Sequence, residues 1–166
     1  LHAALPILLM VSVQTPILQL GQEFGRTKNG NKNSYDQDSV INWIDWKRAN
    51  QTPFKQLNEF TNALKKMRLH YDVFHFDKRI QDDRLIFIND KDNNYSAFGV
   101  MLKGSKYEFL VLLNGSDRYG ANFRFYNTTY DVVSNGEKVS PRGLGKVQGG
   151  HYYLEPTSSA ILRRKL

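Results

Sequence analysis

The 166-residue sequence contains no cysteine, which excludes disulfide bonds and any chemistry that depends on a thiolate. This absence fits a cytoplasmic protein as well as an exported bacterial one, and we slightly favour the bacterial cytoplasm. Long hydrophobic runs are also missing. The apolar opening, residues 1–13, is short, contains Pro6 and has no basic segment before it. We therefore predict neither a signal peptide nor a membrane span.

The motifs that mark metal and phosphate sites are absent as well. The four histidines show no HExxH or similar spacing, so we predict no metal site and no cofactor. The segment DKDNNY begins like a calcium loop, but Tyr95 stands where glycine is needed and Met101 where a bidentate glutamate is needed. A solvated hairpin turn is the better interpretation. The stretch GRTKNGNK lacks the GxxxxGK[ST] pattern and leads into no predicted helix.

Positive charge is plentiful but not clustered. The formal net charge is +7, and the densest basic run is only Arg163–Lys165. Because nucleic-acid binding requires a basic patch or stripe, we predict no nucleic-acid partner. Aromatic residues reach 13%. Their faces suit sugar rings and nucleobases, yet for any single residue a place in a β-sandwich core is the favoured interpretation.

The first half of the chain reads as a strand, a long irregular segment and a helix. Residues Pro16–Leu20 are nearly continuously apolar, which predicts a parallel strand covered on both faces. A helix follows the irregular segment, with Thr52 as N-cap and Pro53 at its first position. Its apolar face comprises Phe54, Leu57, Phe60, Leu64 and Met67, spaced by three or four residues.

The second half changes to short strands separated by turns, which predicts an antiparallel β-sandwich. Asn135-Gly136 is a strong hairpin signal. The predicted strands lie in RLIFI, YSAFGVMLK, YEFLVLLN, ANFRFY, YDVVS, HYYLEP and SAILRR. We divide the chain into residues 1–80 and 81–166. A single strand–loop–helix unit cannot cover both faces of its strand, so we interpret residues 1–80 as the last repeat of a larger α/β structure. In (β/α)₈ barrels, loops that follow the strands form the active-site face.

Acidic residues lie in or beside the irregular segment, and they raise the question of carboxylate catalysis. Glycoside hydrolysis needs two carboxyl groups that face each other across the scissile bond. The acids here are Glu23, Asp36, Asp38 and Asp45, and no pair among them is marked out by spacing. Turn and capping roles are favoured for them, followed by contacts to sugar hydroxyls and then by catalysis.

Two stretches resemble a known family. TPILQLGQEF resembles the strand-eight signature of the α-amylase clan, glycoside hydrolase family 13. GRTKNGNKNSYDQDSVINWIDW is similar to type I pullulanases and to isoamylase-type glycogen debranching enzymes. The resemblance is specific over residues 14–46 and extends through the helix to Leu69. The β-rich remainder fits the C-terminal sandwich of these enzymes. The resemblance thus implies the last β/α unit of a (β/α)₈ barrel followed by an antiparallel β-sandwich.

The resemblance implies a retaining hydrolase that cleaves α-1,6 branch links in pullulan, amylopectin or glycogen. Its nucleophile, acid/base and second aspartate lie on barrel strands four, five and seven, which would precede this chain. We therefore expect a C-terminal fragment that has no catalytic residues and is inactive alone. Residues 1–7 do not resemble the expected family helix, which Pro6 would disrupt, so we expect a non-native start. The alternative is a stand-alone β-sandwich module that binds carbohydrate or a partner without activity.

The same resemblance implies which residues meet an α-glucan partner. The expected substrate-binding residues are Arg26, Lys28, Asn33, Tyr35, Asp36 and Asp38. Glu23 is expected to anchor the segment, and Trp43 and Trp46 are expected to pack it against the barrel.

Overall fold

The computed structural model describes residues 4–75, 84–92 and 94–166, and two antiparallel sheets dominate it. The larger sheet has the order β1-β2-β3-β8-β5-β6, and β4 pairs with β7 in a second sheet. The strands are β1 Leu85–Asn89, β2 Ala97–Lys103, β3 Tyr107–Asn114, β4 Ala121–Arg124, β5 Tyr130–Ser134, β6 Lys146–Val147, β7 His151–Leu154 and β8 Ser158–Lys165. The predicted division near residue 80 lies outside the described residues.

Side-chain alternation on the central strand β3 explains how its two faces are covered. Phe109, Val111 and Leu113 belong to the core shared with the helices. Leu110 and Leu112 belong to the core shared with the second sheet. Because successive side chains point to opposite faces, a strand covered on both sides reads as one apolar run. This explains why YEFLVLLN lacks a clear polar face.

The predicted antiparallel strands are confirmed, and the Asn135-Gly136 turn is present. Ser134 and Val139 form a bridge around it, and Gly136 has φ +86°, a conformation that favours glycine. The loop therefore spans residues 135–138, the NGEK turn of the sequence. The sequence prediction missed β6, because two residues are too few to show an alternating pattern.

Two helices lie beside the larger sheet: α1 Ala4–Val11 and α2 Phe54–His70. The predicted apolar face of α2 is confirmed at Phe60, Leu64 and Met67, which are buried, while Phe54 and Leu57 are half-buried. The predicted cap is wrong by one residue. Pro53 rather than Thr52 directly precedes the first helical residue, and no side chain caps that end.

The predicted strand Pro16–Leu20 is wrong for the described structure, since residues 15–19 have no regular secondary structure. A strand exists through backbone hydrogen bonds to a neighbouring strand. Among the described residues, no strand pairs with this segment. Apolar composition alone does not supply such a partner.

The expectation that Pro6 disrupts a helix at the start is also wrong. Pro6 lies in the first turn of α1. The first four N–H groups of a helix have no intrahelical acceptor, so a residue without an N–H is tolerated there.

Of the described helices, none combines the length and apolar composition that a membrane crossing requires.

A buried ionic cluster joins β3, β5 and β8 on the side of the second sheet. Glu108 is fully buried, and it accepts hydrogen bonds from Arg164 Nε at 2.7 Å and from Arg164 Nη2 at 3.0 Å. The Tyr130 hydroxyl, also fully buried, donates to the same carboxylate at 2.5 Å. Burial, together with the hydrogen bond to Glu108, raises the pKa of Tyr130. Each of the three polar side chains is therefore hydrogen-bonded to another member of the cluster.

Arg68 of α2 forms hydrogen bonds to the end of α1 and to the segment that follows it. Its side chain is 8% exposed and donates to the carbonyl oxygens of Met10 and Gln14, each at 2.9 Å, and to that of Ser12. Met10 lies in the last turn of α1, where carbonyls lack intrahelical donors, and Ser12 and Gln14 lie just beyond the helix end. The guanidinium supplies a donor to each of these three carbonyls. Desolvation lowers the pKa of Arg68, but a guanidinium stays protonated in proteins. Residues 10–14 are thereby tied to α2.

Candidate functional site

The irregular segment, residues 21–46, is an ordered loop whose start is closed by local hydrogen bonds. The Gly21 N–H donates to Glu23 Oε2 at 2.9 Å, and the Arg26 N–H donates to the Gly21 carbonyl at 2.8 Å. Gly21 has φ +93°, and a Cβ at that position would lie 2.9 Å from the Cβ of Arg26. Glycine is therefore required there, and Glu23 acts as an anchor for the loop.

Asn42 holds the two halves of the loop together. Its Nδ2 donates to the Gln37 carbonyl at 2.6 Å and to the Ser34 carbonyl, and its Oδ1 accepts from the Ser34 hydroxyl at 2.7 Å. Its own carbonyl accepts from Arg26 Nη2 at 2.7 Å. Ser34 is buried at the centre of these contacts. Sequence reasoning missed Asn42, because bonds that span 8 or 16 residues leave no local pattern.

Replacing Asn42 with alanine is expected to loosen the loop without unfolding the sheets. The change removes three side-chain hydrogen bonds and leaves the buried Ser34 hydroxyl without its acceptor, a cost of about 1–3 kcal/mol. Hydrogen exchange should accelerate in residues 26–42, while strand β3 keeps its protection. Asn62→Ala, on the exposed surface of α2, is the matched control and should change neither. Unchanged exchange in the loop of Asn42→Ala would contradict the role assigned to Asn42.

Five of the six predicted substrate-binding residues line one open depression of about 580 Å³. They are Arg26, Lys28, Tyr35, Asp36 and Asp38, together with Gln19, Gln37 and Asn42. Asn33 is not among the lining residues. It is exposed, and its backbone N–H donates to Asn31 Oδ1 at 3.0 Å. The structure therefore brings most of the predicted set together, over a separation of 12 residues in the chain.

The lining residues divide into those that hold the loop and those that face solvent. Arg26 binds the loop backbone, and Lys28 Nζ donates to the Ser34 hydroxyl at 2.6 Å. Asp38 Oδ1 accepts from Trp43 Nε1 at 3.0 Å. Tyr35, in contrast, is 84% exposed, and no hydrogen bond within the described residues holds the side chain of Tyr35 or Asp36. These two side chains are available to a ligand.

The two tryptophans flank the loop and remain partly open to solvent. Trp43 is 60% exposed and Trp46 is 61% exposed. The Trp46 ring lies 5.9 Å from that of the buried Phe24, at a tilted angle. Whether these rings pack against a barrel stays a prediction, because the described contacts are with the loop itself.

The C-terminal end of the loop is fixed to the start of α2. Asp45 Oδ1 accepts from the backbone N–H groups of Lys47 and Arg48, at 3.0 and 3.2 Å. The Arg48 guanidinium lies 3.8 Å from the centre of the Phe54 ring. The same ring contacts Gly25, where a Cβ would lie 3.0 Å from it. Helix α2 thus sets the position of both ends of the loop.

The depression carries both signs of charge. Arg26 and Lys28 supply two cations, and Asp36 and Asp38 supply two carboxylates. Such a mixture suits a neutral ligand rich in hydroxyl groups better than an anionic polymer, which needs one sign of charge. Within the described residues, no group of three or more His, Asp or Glu side chains could hold a metal ion.

Comparison with known proteins places the sequence beside the debranching enzymes. The chain is 45% identical, over 67 residues, to a glycogen debranching enzyme of Escherichia fergusonii. The match covers 40% of this chain and 9% of that protein. The predicted resemblance is confirmed. No family model matches the chain.

Solved structures of pullulanases share the fold of the described residues. A pullulanase from Bacillus acidopullulyticus superimposes with a TM-score of 0.82 at 23% sequence identity, covering 98% of this chain and 20% of that one. A type I pullulanase from Bacillus subtilis, solved in complex with maltose, gives a TM-score of 0.79 at 19% identity, covering 99% and 23%. At these identities the likeness shows the fold alone. The chain spans about a tenth of the length of its debranching-enzyme relatives and about a fifth of the pullulanases.

Proposed function

We propose that this chain is the C-terminal part of a glycoside hydrolase that cleaves α-1,6 branch links in an α-glucan. The observation that carries the proposal is the 45% identity with a glycogen debranching enzyme. In this proposal residues 1–80 complete a (β/α)₈ barrel and residues 81–166 form its C-terminal sandwich. The catalytic carboxylates belong to other parts of the barrel, and this chain supplies one wall of the glucan cleft.

Exposed apolar side chains support the placement of this chain within a larger protein. Leu5 and Leu8 of α1 are exposed, as are Ile17 and Leu20 in the segment that leads to the loop. Several large apolar side chains left open to solvent are what a covering part of the protein would bury. A barrel would cover them, and it would also supply a neighbouring strand for the segment 16–20, which pairs with none among the described residues.

Within the cleft, Tyr35 and Asp36 are the residues proposed to meet sugar. The Tyr35 ring offers an apolar face to a glucose ring, and the Asp36 carboxylate accepts hydrogen bonds from hydroxyl groups. Arg26, Lys28 and Asp38 act mainly by holding the loop that presents these two side chains. One of the neighbouring pullulanases was solved in complex with maltose, which supports an α-glucan as the ligand class.

The test uses the complete reading frame, expressed as one protein. It should release maltotriose from pullulan, whose maltotriose units are joined by α-1,6 links, and should leave linear amylose intact. Tyr35→Ala is expected to raise KM for pullulan about tenfold, because the lost contact is worth roughly one aromatic stacking interaction. Tyr35→Phe keeps the ring and should keep KM near the parent value.

Lys32→Ala is the matched loop control, since Lys32 is exposed and does not line the depression. Cleavage of amylose instead of pullulan would refute the α-1,6 assignment. Equal KM values for Tyr35→Ala and Lys32→Ala would show that Tyr35 does not contact the substrate. A soluble 166-residue chain that retains maltodextrin by itself would favour the alternative, a stand-alone binding module.

A further inference from the structure

The chain contains the dipeptide Asn-Gly at residues 29, 114 and 135, and the hydrogen bonds around the three pairs differ. In such a pair the backbone nitrogen of the glycine can attack the side-chain carbonyl carbon of the asparagine, because glycine has no side chain to obstruct the approach. The attack requires a glycine N–H that is free to lose its proton and an asparagine amide that is free to turn toward it. Hydrogen bonds at either group therefore oppose the reaction.

At Asn114 both groups are held inside the protein. Asn114 is 3% exposed, and its Nδ2 donates to the carbonyls of Tyr119 and Glu155, at 2.8 and 3.0 Å. The Gly115 N–H donates to the Ser96 carbonyl at 2.9 Å. The attack would have to break all of these bonds, and the pair is therefore protected.

At Asn135 the pair is exposed, yet both groups are again held. Its Oδ1 accepts from the backbone N–H groups of Glu137 and Lys138, at 3.1 and 2.9 Å. The Gly136 N–H donates to the Ser134 hydroxyl oxygen at 3.2 Å. Exposure alone therefore does not leave an Asn-Gly pair free to react.

At Asn29 neither group is held. The Asn29 side chain is exposed and has no hydrogen-bond partner among the described residues, although its backbone N–H donates to Thr27 Oγ1 at 3.1 Å. The Gly30 N–H likewise has no described acceptor. A Cβ placed at Gly30 would meet no described heavy atom within 4 Å, so the two groups have space to approach each other. Of the three pairs, this is the one with both reacting groups free.

A tight turn presents the free pair at the surface of the loop. The Asn31 N–H donates to the Lys28 carbonyl at 2.9 Å and closes a four-residue turn. Asn29 has φ +49° and Gly30 has φ +79°, the signs that a type I′ turn requires at its two central positions. The closing hydrogen bond uses groups of the two outer residues, so it leaves the Gly30 N–H unbonded.

We propose that Asn29 is a site of spontaneous deamidation in the folded protein. The Gly30 nitrogen loses its proton to hydroxide and attacks Cγ of Asn29, and the side-chain nitrogen takes up a proton and leaves as ammonia. The product is a cyclic imide, a succinimide, which water then opens. Cleavage of the bond from nitrogen to Cγ gives aspartate, and cleavage of the bond from nitrogen to the main-chain carbonyl carbon gives isoaspartate. Water is the only co-reactant, and nothing is oxidised or reduced.

The reaction changes the charge and the length of the loop beside the candidate site. Either product places a new carboxylate next to Lys28, which lines the depression and whose Nζ donates to the Ser34 hydroxyl at 2.6 Å. Isoaspartate also adds one carbon atom to the main chain inside the turn that Lys28 and Asn31 close. The inference goes beyond the proposed function and does not depend on it, since it concerns the chemistry of the chain itself.

Incubation of the complete protein in mildly alkaline buffer, followed by peptide mapping with mass spectrometry, tests the proposal. Fragment masses distinguish conversion of Asn29 from conversion of its neighbours Asn31 and Asn33. Asn29 should convert about tenfold faster than Asn114 and Asn135, because at those two sites hydrogen bonds must break before the attack. The rate should rise with pH, since the deprotonated nitrogen is the nucleophile.

Two controls separate the effect of the structure from that of the dipeptide. In urea-unfolded protein all three pairs should convert at similar rates, because the hydrogen bonds that distinguish them are lost. Asn29→Gln keeps an amide but would have to form a larger ring, so it should abolish conversion at residue 29. Asn33→Gln, elsewhere in the loop, should leave that conversion unchanged. Equal rates at the three sites in the folded protein would overturn the inference, as would an Asn29 amide that persists in the folded protein while the unfolded protein loses it.

Discussion

Replacing Arg164 with leucine is expected to lower the free energy of unfolding by about 3–5 kcal/mol, the cost of breaking a buried ion pair from one side. Glu108 is fully buried and makes two hydrogen bonds to the Arg164 guanidinium. Without Arg164 the carboxylate keeps only the Tyr130 hydroxyl as a described side-chain partner. The charge stays between the sheets without compensation. Urea unfolding followed by circular dichroism measures the loss.

The double variant Glu108→Gln/Arg164→Leu identifies the cause of this loss. A glutamine carbonyl still accepts from the Tyr130 hydroxyl but carries no charge. If the uncompensated charge is responsible, the double variant should recover part of the stability that Arg164→Leu loses. A double variant no more stable than Arg164→Leu would instead assign the loss to packing of the arginine side chain, which also lies 5.0 Å from the centre of the Tyr126 ring.

Replacing Arg68 with alanine is expected to cost about 3 kcal/mol, the upper range for hydrogen bonds that involve a charged group. The guanidinium binds three carbonyl oxygens between residues 10 and 14, and in its absence only that of Gln14 keeps a described side-chain partner, the Ser12 hydroxyl at 3.3 Å. The expected consequence is local: residues 10–14 should lose hydrogen-exchange protection before the sheets do. Equilibrium unfolding and exchange in the complete protein measure both effects.

Two variants of α2 control this prediction. Arg68→Lys keeps the charge, but an ammonium is a point charge without the planar fork that reaches several carbonyls, so part of the loss should remain. Lys65→Ala removes an exposed charge from the same helix and should change stability by less than about 0.5 kcal/mol. Equal losses for Arg68→Ala and Lys65→Ala would show that the three carbonyl contacts carry no stability.

Much of the architecture was accessible from local patterns. Apolar residues at spacings of three and four predicted α2, and alternating runs between turns predicted the strands of the sandwich. The stretch GRTKNGNKNSYDQDSVINWIDW also carried the resemblance to type I pullulanases and isoamylase-type glycogen debranching enzymes. In these cases the signal lies within a few residues, because helix and strand periodicities and turn chemistry are local.

The predictions that failed concern residues whose structure depends on distant partners. Residues 16–20 have the composition of a strand but no described strand beside them. Pro6 was read as a helix breaker, although its position within the first turn makes it harmless. Thr52 was assigned as a cap, yet the helix begins one residue later.

The sequence by itself determined the residue types of the candidate site, helix α2 and most of the strands that follow it, and the family resemblance. Only the tertiary structure decided which loop residues hold the loop and which face solvent. It made Asn42 the centre of the loop and left Tyr35 and Asp36 available. It also held the Asn135 side chain in hydrogen bonds and left that of Asn29 without a described partner. The physical reason is that burial and hydrogen-bond partners arise between residues far apart in the chain, and a linear pattern does not record those contacts.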